Sequence, residues 1–117
     1  MDICIKRVYE QAEPADGMRI LVDRLWPRGI SKEKAKIDLW FKEVTPSSDL
    51  RRWYHQDLSR WPEFRRRYIA ELSANTAAVN ELIGYGENGR VTLVYATKSL
   101  QQNHARVLLE FIQQAAP

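Results

Sequence analysis

Arg90-Val91-Thr92-Leu93-Val94-Tyr95-Ala96, followed after Thr97-Lys98 by the amphipathic run Ser99 to Ala115, decides the fold class. After Arg90 no charge interrupts the run, and apolar residues occupy odd and even positions alike. Neither face of such a strand is written for water, so the pattern predicts a strand covered on both sides of its sheet. Ser99 to Ala115 places Leu108, Phe111, Ile112 and Ala115 on one face at helical spacing. A two-faced strand followed closely by an amphipathic helix is half of a βα unit.

Towards the N-terminus, Met18 to Val22 is a second short apolar run, ending in Asp23-Arg24. It reads as another strand buried on both faces, its polar end emerging from the sheet. Residues 3 to 9 are rich in β-branched and aromatic residues and read as the first strand. Glu10 to Gly17, with Pro14 and Asp16-Gly17, is a turn-bearing loop. Eight residues fall short of the dozen a parallel crossover usually needs, so spacing alone favours a hairpin between the first two strands.

Between the second and last strands the character is helical. Ser31 caps a short turn through Ala35, and Asp38-Leu39-Trp40-Phe41-Lys42 is expected as another short helical piece. Thr45-Pro46 reads as a cap followed by proline at the first helical position, with Leu50, Trp53 and Tyr54 on one face. Ser59 is expected to begin a helix with Trp61, Phe64, Tyr68 and Leu72 inward and Arg65, Arg66 and Arg67 mostly outward. Asn75 or Thr76 caps a further helix holding Val79, Leu82 and Ile83, which stops in Gly84-Tyr85-Gly86-Glu87-Asn88-Gly89. That glycine run mimics a dinucleotide fingerprint, but it precedes a strand instead of following one and is read as a turn. The expected architecture is a single α/β domain over residues 1–117, with a small, mostly parallel sheet of three to four strands flanked by helices.

Composition narrows the function classes. A chain of 117 residues with 44% hydrophobic content fits one domain. Eighteen Lys and Arg against fifteen Asp and Glu give +3, a near balance, so any preference for anions must come from local clustering. Cys4 is the one cysteine; it cannot form an internal disulfide, and it reads as a small apolar strand residue. No Cys/His cluster suggests a metal, no cofactor is implied, and no stretch approaches eighteen apolar residues. The expectation is a cytoplasmic protein with no membrane partner.

In open α/β sheets, ligands bind beyond the carboxyl ends of the strands. Asp23, Arg24, Trp26 and Arg28 follow the second strand; Lys98, Asn103 and His104 follow the last. If the two strands are parallel neighbours, these groups converge on one rim. Arg28 beside Gly29 offers a planar cation suited to phosphate or carboxylate. Trp26 supplies a stacking face or a core plug, and Lys98 stands beside the N-terminus of the final helix. His104 is the candidate acid or base, with Asp23 to hold it or orient a ligand. The combination points to a small anionic or nucleotide-like ligand, with or without catalysis. Arg51, Arg52, Arg60 and Arg65 to Arg67, interleaved with Trp53, Tyr54 and Trp61, offer the alternative of a nucleic-acid surface. A non-catalytic interaction domain is the third reading.

These residues also carry a resemblance. Lys6 to Tyr9, Leu21-Val22-Asp23-Arg24-Leu25-Trp26-Pro27-Arg28-Gly29, Thr45-Pro46-Ser47 with Leu50-Arg51, Phe64-Arg65 with Tyr68, Glu71-Leu72, Thr92 to Ala96 and Asn103-His104-Ala105 resemble the "domain of unknown function 488" family, in its small YeaO-like branch. The resemblance covers essentially the whole chain in order. It implies a compact α/β domain and names no substrate. It also favours a shortened parallel crossover between the first two strands, because the wider family places a helix there. Longer relatives in that wider family carry a Cys-His-Arg triplet at the start of the last helix. The matching positions here are Asn103, His104 and Ala105, so only the histidine carries over and thiol chemistry does not.

Overall fold

A computed structural model describes residues 1–115. Its sheet has the order β1-β4-β2-β3, formed by β1 (Ile3–Arg7), β2 (Met18–Leu21), β3 (Leu39–Trp40) and β4 (Val91–Tyr95). Every pairing is parallel: Leu93 of β4 stands between Ile5 of β1 and Ile20 of β2, and Ile20 pairs with Leu39 of β3. The first two strands are therefore not a hairpin, and β4 lies between them. The short connection suffices geometrically. Returning the length of a five-residue strand takes about 17 Å and stepping across two strand spacings about 10 Å. Ten extended residues reach about 33 Å. The return is made through a 3-10 turn, Pro14–Asp16, and Gly17, whose φ is +65°. A Cβ on Gly17 would stand 2.3 Å from the carbonyl oxygen of Arg90, the same oxygen that accepts from Met18 N at 3.0 Å. Only glycine lets the loop approach the start of β4 so closely.

Alternation along the strands separates two layers. Ile3, Ile20, Val22, Leu93 and Tyr95 face the main core, against α2 (Ser48–His55), α3 (Trp61–Ala74), α4 (Thr76–Gly86) and α5 (His104–Ala115). Val8, Leu21 and Val94 face a smaller cluster with Ala35 of α1 (Lys32–Ala35), bordered by Trp26, Ile30, Ile37 and Trp40. No helix among the described residues is long and apolar enough to cross a membrane.

Several boundaries differ from the sequence reading. Asp38 to Lys42 is not helical: Asp38 N and Phe41 N donate to the carbonyls of Arg19 and Leu21, at 2.9 Å each, making β3. The outer edge of β2 would otherwise bury unpaired carbonyls, and a two-residue strand answers them. Leu39 and Phe41 then turn to the main core and Trp40 to the smaller one, a period of two. Helix α2 is capped by Ser47, whose Oγ accepts from Leu50 N at 3.2 Å and donates to Glu71 Oε2 at 2.6 Å. Thr45 instead closes a preceding 3-10 turn by donating to Lys42 O. Asp57, not Ser59, accepts at the next start, and α3 proper begins at Trp61. The glycine run is partly helical, because α4 continues to Gly86. The last helix begins at His104, not Ser99, with Asn103 Oδ1 accepting from Arg106 N at 2.8 Å. Ala115 is exposed at its far end; Ala105, Val107, Leu108 and Ile112 form the inner face.

Candidate functional site

Beyond Leu21 the chain stays with β4 for one more residue, Val22 N donating to Val94 O at 2.9 Å. Then the two strands part. Asp23 spans the opening, its Oδ2 accepting from Ala96 N at 3.0 Å. His104, the first residue of α5, closes over the same point: its Nε2 lies 2.7 Å from Val22 O. A carbonyl only accepts, so Nε2 carries the proton in this contact. Asp23 Oδ1 is 3.1 Å from the same nitrogen, yet it is buried without a hydrogen bond, because the N–H is directed at Val22. The predicted pair is thus brought together, and its visible work is to stitch β2, β4 and α5.

Outside this stitch opens a cavity of about 670 Å³, a volume typical of small-molecule sites. It lies among the ends of β2 and β4, the start of α5, helix α2 and the turn after it. Of the residues picked from the strand ends, Asp23, Arg24, Lys98, Asn103 and His104 line it. Arg24 is anchored, Nε donating to Pro46 O at 3.1 Å, which ties this loop to the approach to α2. Lys98 stands exposed at the rim. Asn103 is buried, and both arms of its amide are used at the cap, Nδ2 donating to Ser99 O at 2.9 Å.

Trp26 and Arg28 are not in the cavity wall. After Leu25 the chain crosses to the other face of the sheet, where Trp26 packs edge-on against Trp40 and donates from Nε1 to Ile30 O at 2.9 Å. Trp26 is therefore the core plug of the two roles considered. The Arg28 side chain is exposed, and its carbonyl accepts from Tyr9 Oη at 2.6 Å.

The residues that sequence reasoning did not place at this site come mainly from α2, where Arg51 and Tyr54 were assigned to the alternative nucleic-acid surface and His55 was not singled out. Arg51, Tyr54 and His55, then Leu58, line the cavity at the spacing i, i+3, i+4, i+7. For Arg51, Tyr54 and His55 that spacing marks one face of α2; Leu58 lies beyond its end, in the 3-10 turn Leu58–Arg60. Arg51 forms no ion pair among the described residues, and its Nε is buried without an acceptor. His55 is held below its usual value of 6.5 by burial first, then by the charges of Arg51 and His104. Tyr54 and Trp61 both stack on Phe64, with centroids 4.4 and 5.4 Å apart, giving the cavity an aromatic wall. The other arginines of the basic run are engaged. Arg66 and Arg67 share Glu63, whose carboxyl they hold at about 2; Arg65 meets Glu110 at 3.0 Å, Arg52 meets Asp49, and Arg60 donates to Trp53 O. Among the described residues no group of three or more His, Cys, Asp or Glu is placed to hold a metal.

This geometry meets the comparisons with known proteins at residues 2–117, which match the family model described as the inactive DUF488-N3 subclade. The chain belongs to that subclade. It is 44% identical over 113 residues to the uncharacterized protein YeaO of Escherichia coli (strain K12), covering 97% of this chain and 98% of the relative. It is also 44% identical over 108 residues to the uncharacterized protein Rv3073c of Mycobacterium tuberculosis (strain ATCC 25618 / H37Rv), covering 92% and 91%. No solved structure gives a significant match. In this member of the DUF488-N3 subclade the residue before His104 is an asparagine spent on capping, and the histidine itself is tied to Val22.

Proposed function

We propose that this domain binds a small anionic ligand in the cavity at the strand ends and holds it without chemical turnover. The observation that carries the reading is Arg51, a half-buried guanidinium facing a concave site with no acid to pair with and its Nε buried without an acceptor. Arg51 lines the cavity half-buried, and an anion bound there would give its guanidinium the charge-assisted partner it lacks among the described residues. Lys98 and Arg24 stand on the same cavity, against one carboxylate, Asp23, which faces His104. The aromatic wall admits a nucleotide-like body as well as a simpler one.

Two features favour binding over catalysis. His104 Nε2 is committed to a backbone carbonyl, which removes that nitrogen from proton transfer to a ligand. The subclade's description as inactive points the same way. The nucleic-acid reading is weakened by the pairing of Arg52, Arg65, Arg66 and Arg67 with acids, and by Arg51 turning into a cavity instead of onto a face.

The test is thermal shift against phosphate, small carboxylates and nucleotides, comparing wild type, Arg51→Met and Arg28→Ala. A ligand at ten times its Kd stabilises by about 1.4 kcal/mol, which is roughly a 5 °C rise for a domain of this size. Wild type and Arg28→Ala are expected to respond alike, and Arg51→Met to lose the response. If no anion raises the melting temperature of the wild type, the reading fails.

A further inference from the structure

Leu25 and Leu58 are 61% and 62% exposed, and both stand in the wall of the cavity that holds Arg51. Single exposed leucines are ordinary on protein surfaces. These two come from different parts of the chain, the loop after β2 and the turn between α2 and α3, and line the same cavity. Behind them the wall continues through Trp61, Phe64 and Tyr54. A bare phosphate would satisfy the guanidinium and leave this apolar surface wet. A neutral apolar molecule would cover the wall and leave the guanidinium unpaired. Only a molecule with both parts removes both costs.

We infer that the ligand is an amphipathic anion, its charged head held by Arg51 and its apolar body lying along Trp61 and leaving between Leu25 and Leu58. This rests on the anion-binding reading of the same cavity. Arg51 sets the direction, because Arg24 Nε is already spent on Pro46 O and Lys98 is solvated at the rim, whereas Arg51 has no acid to pair with among the described residues. His55, one turn on from Arg51, adds a second basic group beside the head. The body can be alkyl or aryl; the recognition chemistry is the same.

The experiment is calorimetric titration of the full chain with inorganic phosphate, butyl, hexyl and octyl phosphate, phenyl phosphate and octanol, all below their aggregation range. Affinity is expected to rise with chain length, by up to roughly fourfold per methylene. Octyl phosphate is expected to exceed octanol by at least about tenfold. Leu25→Ser with Leu58→Ser, both on exposed positions, is expected to keep the circular dichroism and melting of the wild type while flattening the dependence on chain length. If inorganic phosphate binds as tightly as octyl phosphate, the amphipathic inference is overturned and anion binding stands. Octanol binding as tightly as octyl phosphate would overturn the role of Arg51 in both. If no phosphate of the series binds, the amphipathic inference is overturned, and the anion-binding reading is lost with it only if carboxylates and nucleotides also fail to bind.

Discussion

Asp16 enters β2 and Asp23 leaves it, and the two carboxylates are treated in opposite ways. Asp16 accepts from Arg19 Nη1 at 2.6 Å, from Glu13 N at 3.0 Å and from Lys6 Nζ at 3.1 Å. Its partner Arg19 spends two further donors on Ala35 O, and Thr92 Oγ1 donates to the carbonyl of Asp16 at 2.6 Å. Asp23 accepts once, from Ala96 N, and its other oxygen is buried without a bond. The first cluster is closed and complete, which is what a buried charge needs if it is to support a fold. The second is incomplete on the acid side at Asp23 and on the basic side at Arg51, and both residues border open space. Among the described residues those two hold the buried side-chain atoms left without partners. Completeness at one end of a strand and vacancy at the other separate the group that holds the structure from the group available to a ligand.

The largest expected effect tests the closed end. Asp16→Ala leaves the buried Arg19 without its acid, Lys6 keeping only Glu13, and breaking a buried pair in this way costs about 3–5 kcal/mol. Urea denaturation measures it; a loss below about 1 kcal/mol breaks the contrast. The same carboxylate makes an acid prediction. Burial alone would raise its pKa, but hydrogen bonds from Glu13 N, Lys6 and Arg19 outweigh burial and hold it below the usual 3.8. A carboxylate lowered on folding contributes stability that is present above its unfolded value and lost as pH falls through the folded one. Wild type is therefore expected to lose stability below about pH 4, and Asp16→Asn to show a flatter acid limb in denaturation at stepped pH.

The stitch at His104 comes next. His104→Ala deletes the donor to Val22 O and the cation-capable ring beside Asp23, leaving a buried carbonyl unpaired. The expected loss is about 1–3 kcal/mol, concentrated where β2, β4 and α5 meet. Hydrogen exchange at Val22 and Ala96 is expected to quicken before that of β1. Uniform quickening across the sheet would mean that His104 supports the fold generally, and the local stitch would not stand.

How far these clusters were legible in the sequence follows from what sets each residue's direction. Asp23, Lys98 and His104 were reachable because strand ends in a parallel sheet face one rim, and Ile20 to Val22 and Val91 to Tyr95 announce themselves as strands by consecutive buried-type residues. Trp26 and Arg28 stand one loop further on, and the path of a loop across the edge of a sheet is decided by packing, here Trp26 against Trp40. Arg51 belonged to a basic run whose other members are paired on the surface, and composition does not distinguish them; the face of α2 shared with Tyr54 and His55 does. β3 escaped because Leu39-Trp40-Phe41 is too short an apolar run for periodicity to separate strand from helix. The buried Asp16–Arg19 pair gave no local sign, since a charge two residues into a strand reads as an exposed position until α1 covers it.

Smaller again is the effect on stability at the open end. Arg51→Met removes a donor that has no acceptor and keeps most of the side chain's apolar length. Its expected effect on unfolding free energy is within about 1 kcal/mol of zero, of either sign, while the response to anions disappears. A loss as large as that of Asp16→Ala would place Arg51 among the groups that hold the fold and erase the difference between the two ends of β2.

His55 sharpens the contrast with a change of sign. Without ligand its pKa lies below the unfolded value of 6.5, because burial and the neighbouring Arg51 and His104 disfavour its charge. Between those two values the unfolded chain binds more protons, so the free protein loses a little stability as pH falls through that window. A bound anion beside Arg51 reverses the local field and raises the His55 pKa, so binding takes up a proton. Ligand-induced stabilisation is then expected to grow as pH is lowered from about 8 to about 5.5, although the ligand-free protein weakens over the same range. Thermal shift with hexanesulfonate, whose charge does not change across that range, reads both slopes at once, and His55→Gln is expected to flatten both. If the ligand-induced shift falls with pH in the wild type, the anion does not sit beside His55, and the cavity's basic side has been assigned to the wrong helix.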